Sequence, residues 1–414
     1  MPEPRGARSR SVLISGASIA GPALAYWLDR YGFDVTVVER GPAVRSGGYP
    51  IDIRGTAIDV VERMGLVPRL RAAHIDAREL RFVDAEGRVI GSIPPDELVG
   101  DDAGRNLELP RGALTALLYD LTRERSIRYR FDDSIDTLED DGSGVDVRFR
   151  NGERQRYGMV IGADGLHSRT RRLAFGPEEQ FDHYLGYCFN IFSMPNDMGL
   201  SHGAIIYGEA GRTAGVLAVR DSKDVFAFLM FASDDPPPTA RADVEEQRRR
   251  TATVFAGGGW EVPRLLEAMR HAKDLFFDTV SQIRMPVWSS GRVSLVGDAA
   301  FAPSFRSGQG TSLALVGAYV LAGELASHED PATAFAAYER IVRPFVEANQ
   351  ALAVNGNGFL LLPRTQQEVE ARNRILATLA ERKGGAVRND HARDAHNMIS
   401  LPDYTAWLRK ESRN

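Results

Sequence analysis

The sequence of 414 residues predicts an α/β fold, and three regions of the chain support that prediction. Near the N-terminus, a short apolar run ends at a glycine, continues into helical spacing and returns to a second apolar run. The middle third contains several segments with the pattern of sheet strands, and the last third has helical spacing. The sequence therefore predicts an α/β domain, an inserted β-sheet domain and a C-terminal helical segment.

The first region has the pattern of a βαβ nucleotide-binding unit. An apolar run, residues 12–15, breaks at Gly16 and is followed by helical spacing. Gly16 permits a tight turn, and Gly21 lets the helix pack closely against the sheet. Ser18 stands where the usual three-glycine pattern has its middle glycine, so the pattern alone also fits an ordinary turn.

The acid at the end of the second strand favours the nucleotide site. A strand at residues 35–38 ends in Glu39, at the spacing expected of a carboxylate that binds a ribose. The helix that begins near Ile19 offers free N–H groups and a partial positive charge to a pyrophosphate. The sequence therefore predicts a dinucleotide-binding, Rossmann-like domain.

The composition excludes several classes of function. A net charge of −5 gives no reason to expect nucleic acid as a partner. The single cysteine, Cys188, excludes an internal disulfide and is typical of a reducing compartment. The most apolar later run, residues 313–325, is too short to span a bilayer. His391 and His396 have no Cys or acid at metal-ligand spacing. We therefore expect a cytoplasmic protein without a metal and without a membrane partner.

The remaining elements are predicted from periodicity and from turn residues. Residues 41–54 are rich in Gly, Pro and Arg and are predicted to form a loop. The predicted helices are 56–64, 112–121, 243–255 and 311–325. The predicted strands are a hairpin at 80–83 and 88–90, followed by 127–131, 135–138, 145–149, 156–161, 187–192, 204–207, 214–219, 225–231 and 293–296. Pro344 and Pro363 are predicted to break the helical C-terminal region.

Three glycine–acid motifs carry a resemblance to a known family. In chain order they are 16–21 with Glu39, Gly162-Ala163-Asp164-Gly165, and Gly297-Asp298. A glycine-rich turn at 307–310 follows the third motif and opens a long helix. With these motifs, residues 10–350 resemble the group A flavoprotein monooxygenases, which are single-component FAD-dependent aromatic hydroxylases. The similarity is greatest to the tetracycline-modifying and polyketide-tailoring members.

The resemblance implies a set of FAD contacts. The first motif and Glu39 would hold the ADP half, Arg111 would contact the flavin, and Asp298 would bind the ribitol chain. The helix after Gly310 would direct its positive end toward the isoalloxazine, which favours reduced flavin by roughly 0.3–2 kcal/mol. The implied contacts are Ser15, Gly16, Ser18, Ile19, Ala20, Gly21, Glu39, Arg40, Arg111, Asp164, Gly165, Asp298, Ser307, Gly308, Gln309, Gly310 and Thr311.

The resemblance also implies the reaction. NADPH or NADH would reduce FAD, O2 would add at flavin C4a, and the hydroperoxide would hydroxylate an aromatic or polycyclic, polyketide-like small molecule. The protein would be a monomer or a dimer. The candidate catalytic residues are Arg45, Arg54, Phe305 and Arg306. Arg45 and Arg54 are candidates to steer NADPH or an anionic substrate, and solvated loop arginines are an equal alternative for these two. The candidate substrate contacts are Phe189, Tyr207, Phe226 and Phe228, although alternating aromatics on strands more often form plain core. His167, inside the second motif, is interpreted as structural.

Two departures from the family pattern leave other functions open. Phe301 stands where the family has a histidine, Phe305 stands where it has a proline, and Pro303 is displaced by two positions. That proline region faces the flavin carbon that carries the peroxide. The alternatives are therefore a related flavin reductase that does not hydroxylate, and a flavin-containing protein that sequesters a ligand without turnover.

The resemblance gives a division into domains. It implies a GR2-type FAD-binding domain interrupted by a substrate domain and followed by C-terminal helices. The predicted FAD-binding parts are 1–75, 111–175 and 289–330. The predicted substrate-domain parts are a hairpin at 76–110 and a β-rich region at 176–288. The predicted C-terminal helices are 331–414.

Overall fold

The computed structural model describes residues 10–45, 47–95, 105–219, 222–237, 243–355, 358–381 and 390–408. The described strands are β1 (Ser11–Ser15), β2 (Asp34–Val38), β3 (Pro50–Ile53), β4 (Glu79–Val83), β5 (Val89–Ile93), β6 (Leu107–Pro110), β7 (Arg128–Arg130), β8 (Ile135–Asp140), β9 (Val145–Phe149), β10 (Arg154–Tyr157), β11 (Met159–Gly162), β12 (Asp182–Pro195), β13 (Gly203–Glu209), β14 (Arg212–Ala218), β15 (Asp224–Ala232), β16 (Phe276–Ile283), β17 (Ser289–Ser290) and β18 (Val293–Leu295). The described helices are α1 (Ala20–Arg30), α2 (Thr56–Arg63), α3 (Val67–Ala73), α4 (Arg111–Thr122), α5 (Arg169–Phe175), α6 (Val244–Val254), α7 (Val262–His271), α8 (Asp298–Phe301), α9 (Gly310–Ser327), α10 (Pro331–Asn355), α11 (Gly358–Leu361), α12 (Gln366–Glu381) and α13 (Asp390–His396).

A six-stranded sheet brings the three glycine–acid motifs to one edge. Its order is β17-β18-β11-β1-β2-β7, and all neighbours are parallel except β17 and β18. The central strands are buried along nearly their whole length, as expected of a parallel sheet covered on both faces. Because β1, β11 and β18 run in the same direction, Gly16, Asp164 and Asp298 follow neighbouring carboxyl ends. Ligands of open α/β sheets bind at such an edge.

A seven-stranded sheet forms the second unit. Its order is β16-β12-β15-β14-β13-β4-β5, so the predicted hairpin β4–β5 joins strands that lie much later in the chain. One face packs against α6 and α7 around Phe231, Phe255 and Leu265. The opposite face carries Phe189, Phe228 and other apolar side chains toward the first unit.

The long helix α9 is the centre of the first unit. All residues from Thr311 to Ala326 are buried, and the helix packs against α1 and α10. The helix is longer than the run expected at 313–325, so by length and composition it could cross a membrane, but 89% of its apolar stretch lies buried inside this protein. Core helices of globular domains have the same character.

The C-terminal segment, residues 390–408, packs on the first unit. The Thr56 hydroxyl at the start of α2 donates to the Ile399 carbonyl at 3.0 Å. The Tyr319 hydroxyl of α9 donates to the Pro402 carbonyl at 2.8 Å. The last described residues therefore belong to the same core as the first strand.

His396 in α13 makes folding stability depend on pH. It is 3% exposed, and burial together with nearby Arg54 lowers its pKa to about 3. An unfolded histidine titrates near 6.5, so the unfolded chain takes up a proton that the native chain does not. The contribution of neutral His396 to the free energy of unfolding is therefore fully present above about pH 6.5, and it is lost progressively as the pH falls toward 3.

We expect His396 to lower the free energy of unfolding by about 2 kcal/mol between pH 7 and pH 5. Denaturant unfolding of the wild type and of His396→Gln at both pH values measures the difference. His391→Gln, on the exposed side of the same helix, is the matched control. An equal loss of stability in wild type and His396→Gln would contradict the assignment.

Some predicted elements differ from the structure. The single strand expected at 156–161 is two strands, β10 and β11, which lie in different sheets. The chain changes sheets at Gly158, whose N–H donates to the Ser11 carbonyl. The loop expected at 41–54 contains β3, which pairs with β6. Pairing with a distant segment gives no local sequence signal.

Further differences concern a proline and several elements that were not predicted. Pro344 lies inside α10 and does not break it, whereas Pro363 does lie between α11 and α12. Buried contacts of Phe345 and Val346 hold the helix together around the proline. Elements that were not predicted include helices α3, α5 and α7 and strands β6 and β16. In β16, buried polar residues such as Gln282 interrupt the apolar pattern of a strand.

Candidate active site

A cleft of about 720 Å³ lies between the two units, a volume typical of sites for small molecules and cofactors. One half is formed by the carboxyl ends of the parallel strands and by the loop between α8 and α9. The other half is formed by the apolar face of the seven-stranded sheet. The cleft therefore has a polar end and an aromatic end.

The glycine turn after β1 has the backbone geometry of a dinucleotide site. Gly16 has φ +109°, and an added Cβ would overlap the Ala163 carbonyl oxygen. The Glu39 carboxylate accepts hydrogen bonds from the N–H groups of Ala17 and Gly41, each at 2.9 Å. Each carboxylate oxygen keeps lone pairs free for a ligand hydroxyl.

The N-terminus of α1 faces the cleft. Its N-cap residue, Ile19, makes no side-chain cap, and Ser18 and Ala20 line the cleft beside it. The first N–H groups of such a helix are donors for an anion. Arg111, at the start of α4, donates to the Ser18 hydroxyl at 3.0 Å.

Three arginines surround this helix terminus. Arg40, Arg45 and Arg111 line the same part of the cleft. Burial, and then the charges of Arg111 and Arg40, lower the pKa of Arg45. A patch of mutually repelling cations beside free backbone donors fits a pyrophosphate, which would neutralise it.

Asp298 and the glycine-rich loop form the centre of the cleft. The Asp298 carboxyl is surrounded by protein yet opens onto the cleft; burial raises its pKa, and Arg111 and Arg171 lower it. A Cβ at Gly310 would lie 3.6 Å from Asp298 Oδ1, and one at Gly308 would lie 3.3 Å from Asp52 Oδ2. Because these two positions carry no side chain, the loop backbone lies close to both carboxylates at the cleft.

Comparison with known proteins identifies the family. The family model described as FAD binding domain matches residues 9–353. A flavin-dependent monooxygenase from an unknown prokaryotic organism is 38% identical over 398 residues, covering 96% of this chain and 99% of its own length. The chain belongs to this family of FAD-dependent monooxygenases.

Solved structures agree with that assignment. The tetracycline destructase Tet(55) has a TM-score of 0.82 and 37% identity, over 95% of this chain and 99% of its own. HpxO of Klebsiella pneumoniae, complexed with FAD and uric acid, has a TM-score of 0.73 and 21% identity, over 94% of this chain and 97% of its own. At 21% identity, the similarity to HpxO shows a shared fold and nothing more. The monooxygenase is of the aromatic-hydroxylase type, with FAD, O2 and a reduced nicotinamide as its cofactor and co-substrates.

Most residues that the resemblance assigned to FAD line the cleft of the monooxygenase. They are Ser15, Gly16, Ser18, Ile19, Ala20, Glu39, Arg40, Arg111, Asp164, Gly165, Asp298, Gly308, Gly310 and Thr311. Gly21 lies beneath the turn, where an added Cβ would overlap the Gly16 carbonyl oxygen. The Gln309 side chain is fully buried behind the loop, and the Ser307 hydroxyl donates to the Ser304 carbonyl at 2.9 Å. These contacts with FAD remain predictions.

The second motif has a local use that was not predicted. The Asp164 carboxylate accepts hydrogen bonds from the N–H and the hydroxyl of Thr170, both at 2.9 Å, and from the Ser168 hydroxyl. It therefore caps the start of α5. The residue still borders the cleft through its backbone beside Gly16.

The four predicted catalytic residues occupy different places. Arg45 and Phe305 line the cleft, and the Phe305 ring lies 4.6 Å from that of Phe189. Arg54 lies behind the cleft wall, 6% exposed, and pairs with Asp52 at 2.7 Å. The Arg306 guanidinium lies 5.0 Å from the ring centre of Tyr187, outside the cleft lining. Arg54 and Arg306 thus do not meet the cleft directly.

The predicted substrate contacts divide between the two faces of the sheet. Phe189 and Phe228 line the cleft. Phe226 lies outside the lining, beyond Phe228 on β15. Tyr207 faces the opposite core, where its hydroxyl donates to Glu209 at 2.6 Å. This placement contradicts a substrate role for Tyr207, because strand alternation turns it away from the cleft.

Sequence reasoning missed three side chains of the cleft wall. Tyr49, from the loop after β2, packs against Phe189 and Phe276. Asp278 follows Phe276 by two positions on β16, a strand that was not predicted. His167 was interpreted as structural, yet it borders the cleft beside Asp278. The spacing of Phe276 and Asp278 by two positions is the sequence signal that could have indicated a strand with both side chains on one face.

Proposed function

We propose that the monooxygenase uses NADPH to hydroxylate a polycyclic aromatic substrate, with oxygen transferred from a flavin C4a-hydroperoxide. The observation that supports this best is the junction between the two ends of the cleft. There Phe305, on the loop beside the predicted flavin position, packs against Phe189 on the apolar sheet face. The likeness to the tetracycline destructase Tet(55) supports a multi-ring substrate.

Each end of the cleft has a distinct task in this proposal. The N-terminus of α1 and the arginine patch bind the pyrophosphate, and Asp298 accepts a hydrogen bond from the ribitol. The N-terminus of α9 stabilises negative charge on the ring. The substrate domain, which is formed by residues 76–110 and 176–288, orients the substrate and excludes water. Phe189 and Phe228 are its contacts with the substrate. Bound FAD supplies the electron transfer to O2.

We expect turnover of tetracycline with NADPH under ¹⁸O2 to place one labelled oxygen atom in the product. Mass spectrometry of the product, with NADPH consumption measured in parallel, tests this. Oxidation of NADPH without labelled product would favour the flavin reductase. Depletion of tetracycline without NADPH consumption would favour the sequestering protein.

Two phenylalanines on β15 form a matched pair for the same assay. Phe228→Ala should lower kcat/KM about tenfold or more, because it removes a half-buried ring from the substrate end. Phe226→Ala, on the same strand but outside the cleft lining, should leave kcat/KM unchanged. Equal effects of the two variants would contradict a substrate site on this face.

A further inference from the structure

Arg372 of α12 is a buried cation without an acid. Its side chain is 1% exposed, and no carboxylate in the described part of the chain pairs with it. Its Nη2 donates to the Gly208 carbonyl at 2.9 Å, and its Nε donates to Asn373 Oδ1 at 3.1 Å. Its Nη1 is buried without a hydrogen-bond partner. The guanidinium therefore lacks the counter-charge that a buried charge normally requires.

The guanidinium keeps its positive charge despite its burial. Burial lowers the pKa of Arg372 to about 10, and no charged group of the described residues shifts it further. At neutral pH the side chain is therefore still protonated. The ring of Phe82, whose centre lies 5.8 Å from the guanidinium carbon, gives a weaker stabilising contact.

A row of paired residues connects Arg372 with the cleft. Across the seven-stranded sheet the row is Asp278, Phe189, Met230, Thr213 and Gly208. Paired residues of antiparallel strands lie on the same face, and the first three members of the row line the cleft. A Cβ added at Gly208 would overlap Arg372 Nη1, so the guanidinium lies over the last position of the row.

The row also gives the distance over which the charge acts. Neighbouring strands are about 4.8 Å apart, so Gly208 lies about 10 Å from Met230 and about 19 Å from Asp278. Leu361 lines the cleft and covers Thr213, whose hydroxyl donates to the Leu361 carbonyl at 2.8 Å. The charge of the guanidinium therefore reaches the cleft through space, from behind Leu361.

We propose that Arg372 selects substrates with an acidic group that is already ionised at neutral pH, such as a carboxylate, and orients that group toward α12. This inference rests on the proposed function, because it places the substrate in the aromatic end of the cleft. Arg372 is a positioning residue, since it acts across Leu361 and touches no reacting atom. At about 10 Å and an effective dielectric constant of about 20, one such charge changes affinity by about tenfold.

The same charge decides which end of a multi-ring substrate faces the reaction. An ionised group held on the α12 side directs the rest of the ring system along Phe189 toward Phe305, beside the predicted flavin position. The charged end is thereby kept away from the place of oxygen transfer. A neutral substrate of the same shape has no such preference.

Binding of two ligands of one shape tests the inference without turnover. The probes are 2-naphthoate and 2-naphthamide, titrated into FAD-loaded, oxidised enzyme and followed by flavin absorbance. Arg372→Gln should lower the affinity for 2-naphthoate about tenfold relative to that for 2-naphthamide. Arg372→Lys, which keeps the charge, should retain the wild-type ratio. Arg374→Gln, the matched control, removes an exposed charge from the same helix and should also retain it.

A second variant keeps Arg372 and its packing. Thr213→Asp places a carboxylate beside the guanidinium, because a Cβ at Gly208 would lie 3.1 Å from Thr213 Oγ1 and against Arg372 Nη1. The new ion pair should remove the preference for 2-naphthoate as fully as Arg372→Gln does. Thr213→Asn, which has the same size but no charge, should keep that preference.

The outcomes separate this inference from the proposed function. An unchanged ratio of the two affinities in Thr213→Asp overturns this inference alone. Loss of affinity for both ligands by the same factor in Arg372→Gln overturns it too, because it shows a packing role only. A wild type that binds neither ligand contradicts both. Loss of the preference in Arg372→Gln and Thr213→Asp, without incorporation of ¹⁸O into tetracycline by the wild type, contradicts only the proposed function.

Discussion

Gly21→Ala should abolish FAD binding. The added Cβ would overlap the Gly16 carbonyl oxygen, which is backbone and cannot rotate away. Helix α1 would have to move from the sheet, and its N-terminal N–H groups would leave the pyrophosphate position. Loss of two hydrogen bonds to a charged pyrophosphate, at about 1.5–3 kcal/mol each, should raise the dissociation constant for FAD by on the order of 100-fold or more. We expect the purified variant to be colourless.

The measurement is the dissociation constant for FAD, taken from the quenching of flavin fluorescence. Gly47→Ala is the matched control, because an added Cβ there would meet no atom within 4 Å. That control should bind FAD as the wild type does. Retention of wild-type affinity in Gly21→Ala would show that the turn after β1 does not hold the cofactor.

Tyr404→Ala should lower the free energy of unfolding by about 3–5 kcal/mol. The Tyr404 ring is 5% exposed and covers Gly323 of α9, where an added Cβ would overlap it. Its hydroxyl donates to the buried carboxylate of Glu324 at 2.6 Å. Truncation leaves both a cavity against α9 and a carboxylate without this donor.

Denaturant unfolding of the FAD-free protein measures that loss. Trp407→Ala is the matched control, because Trp407 lies on the same segment but is 48% exposed; its effect should stay within about 0.5 kcal/mol. Tyr404→Phe, which keeps the ring, should lose only part of the stability. Equal effects of Tyr404→Ala and Trp407→Ala would mean that the segment does not brace α9.

The parts of the fold that the sequence predicts are those with local causes. The turn at Gly16, the helix after it and the strand that ends in Glu39 depend on residues close in the chain. The strands β3, β6 and β16 depend on partners far away, so their short or polar segments carry no clear period. Pro344 shows the same limit. The sequence predicts that it breaks the helix, but packing of α10 on α9 keeps the helix continuous through the proline.

The site follows the same division. Motifs place Gly16, Asp164 and Asp298 at one sheet edge because each directly follows a buried strand. The aromatic end depends on strand register, which decides that Phe189 faces the cleft and Tyr207 does not. The Asp278 carboxylate enters the site only through its pairing with Phe189. Register is a property of the assembled sheet and cannot be read from one strand.

The connectivity of the parallel sheet has a consequence for the order of folding. β11 pairs with β1 on one side and with β18 on the other, while most of the seven-stranded sheet is encoded between β11 and β18. Strands β12 to β15 pair with antiparallel partners that are close in the chain. Their contact order is therefore lower than that of the parallel sheet. We therefore expect strands β12 to β15 of the seven-stranded sheet to pair first during synthesis. The carboxyl edge of the parallel sheet is completed only after β18 and the start of α9 have been made, so a cofactor that binds there can join only after β12 to β16 have been synthesised.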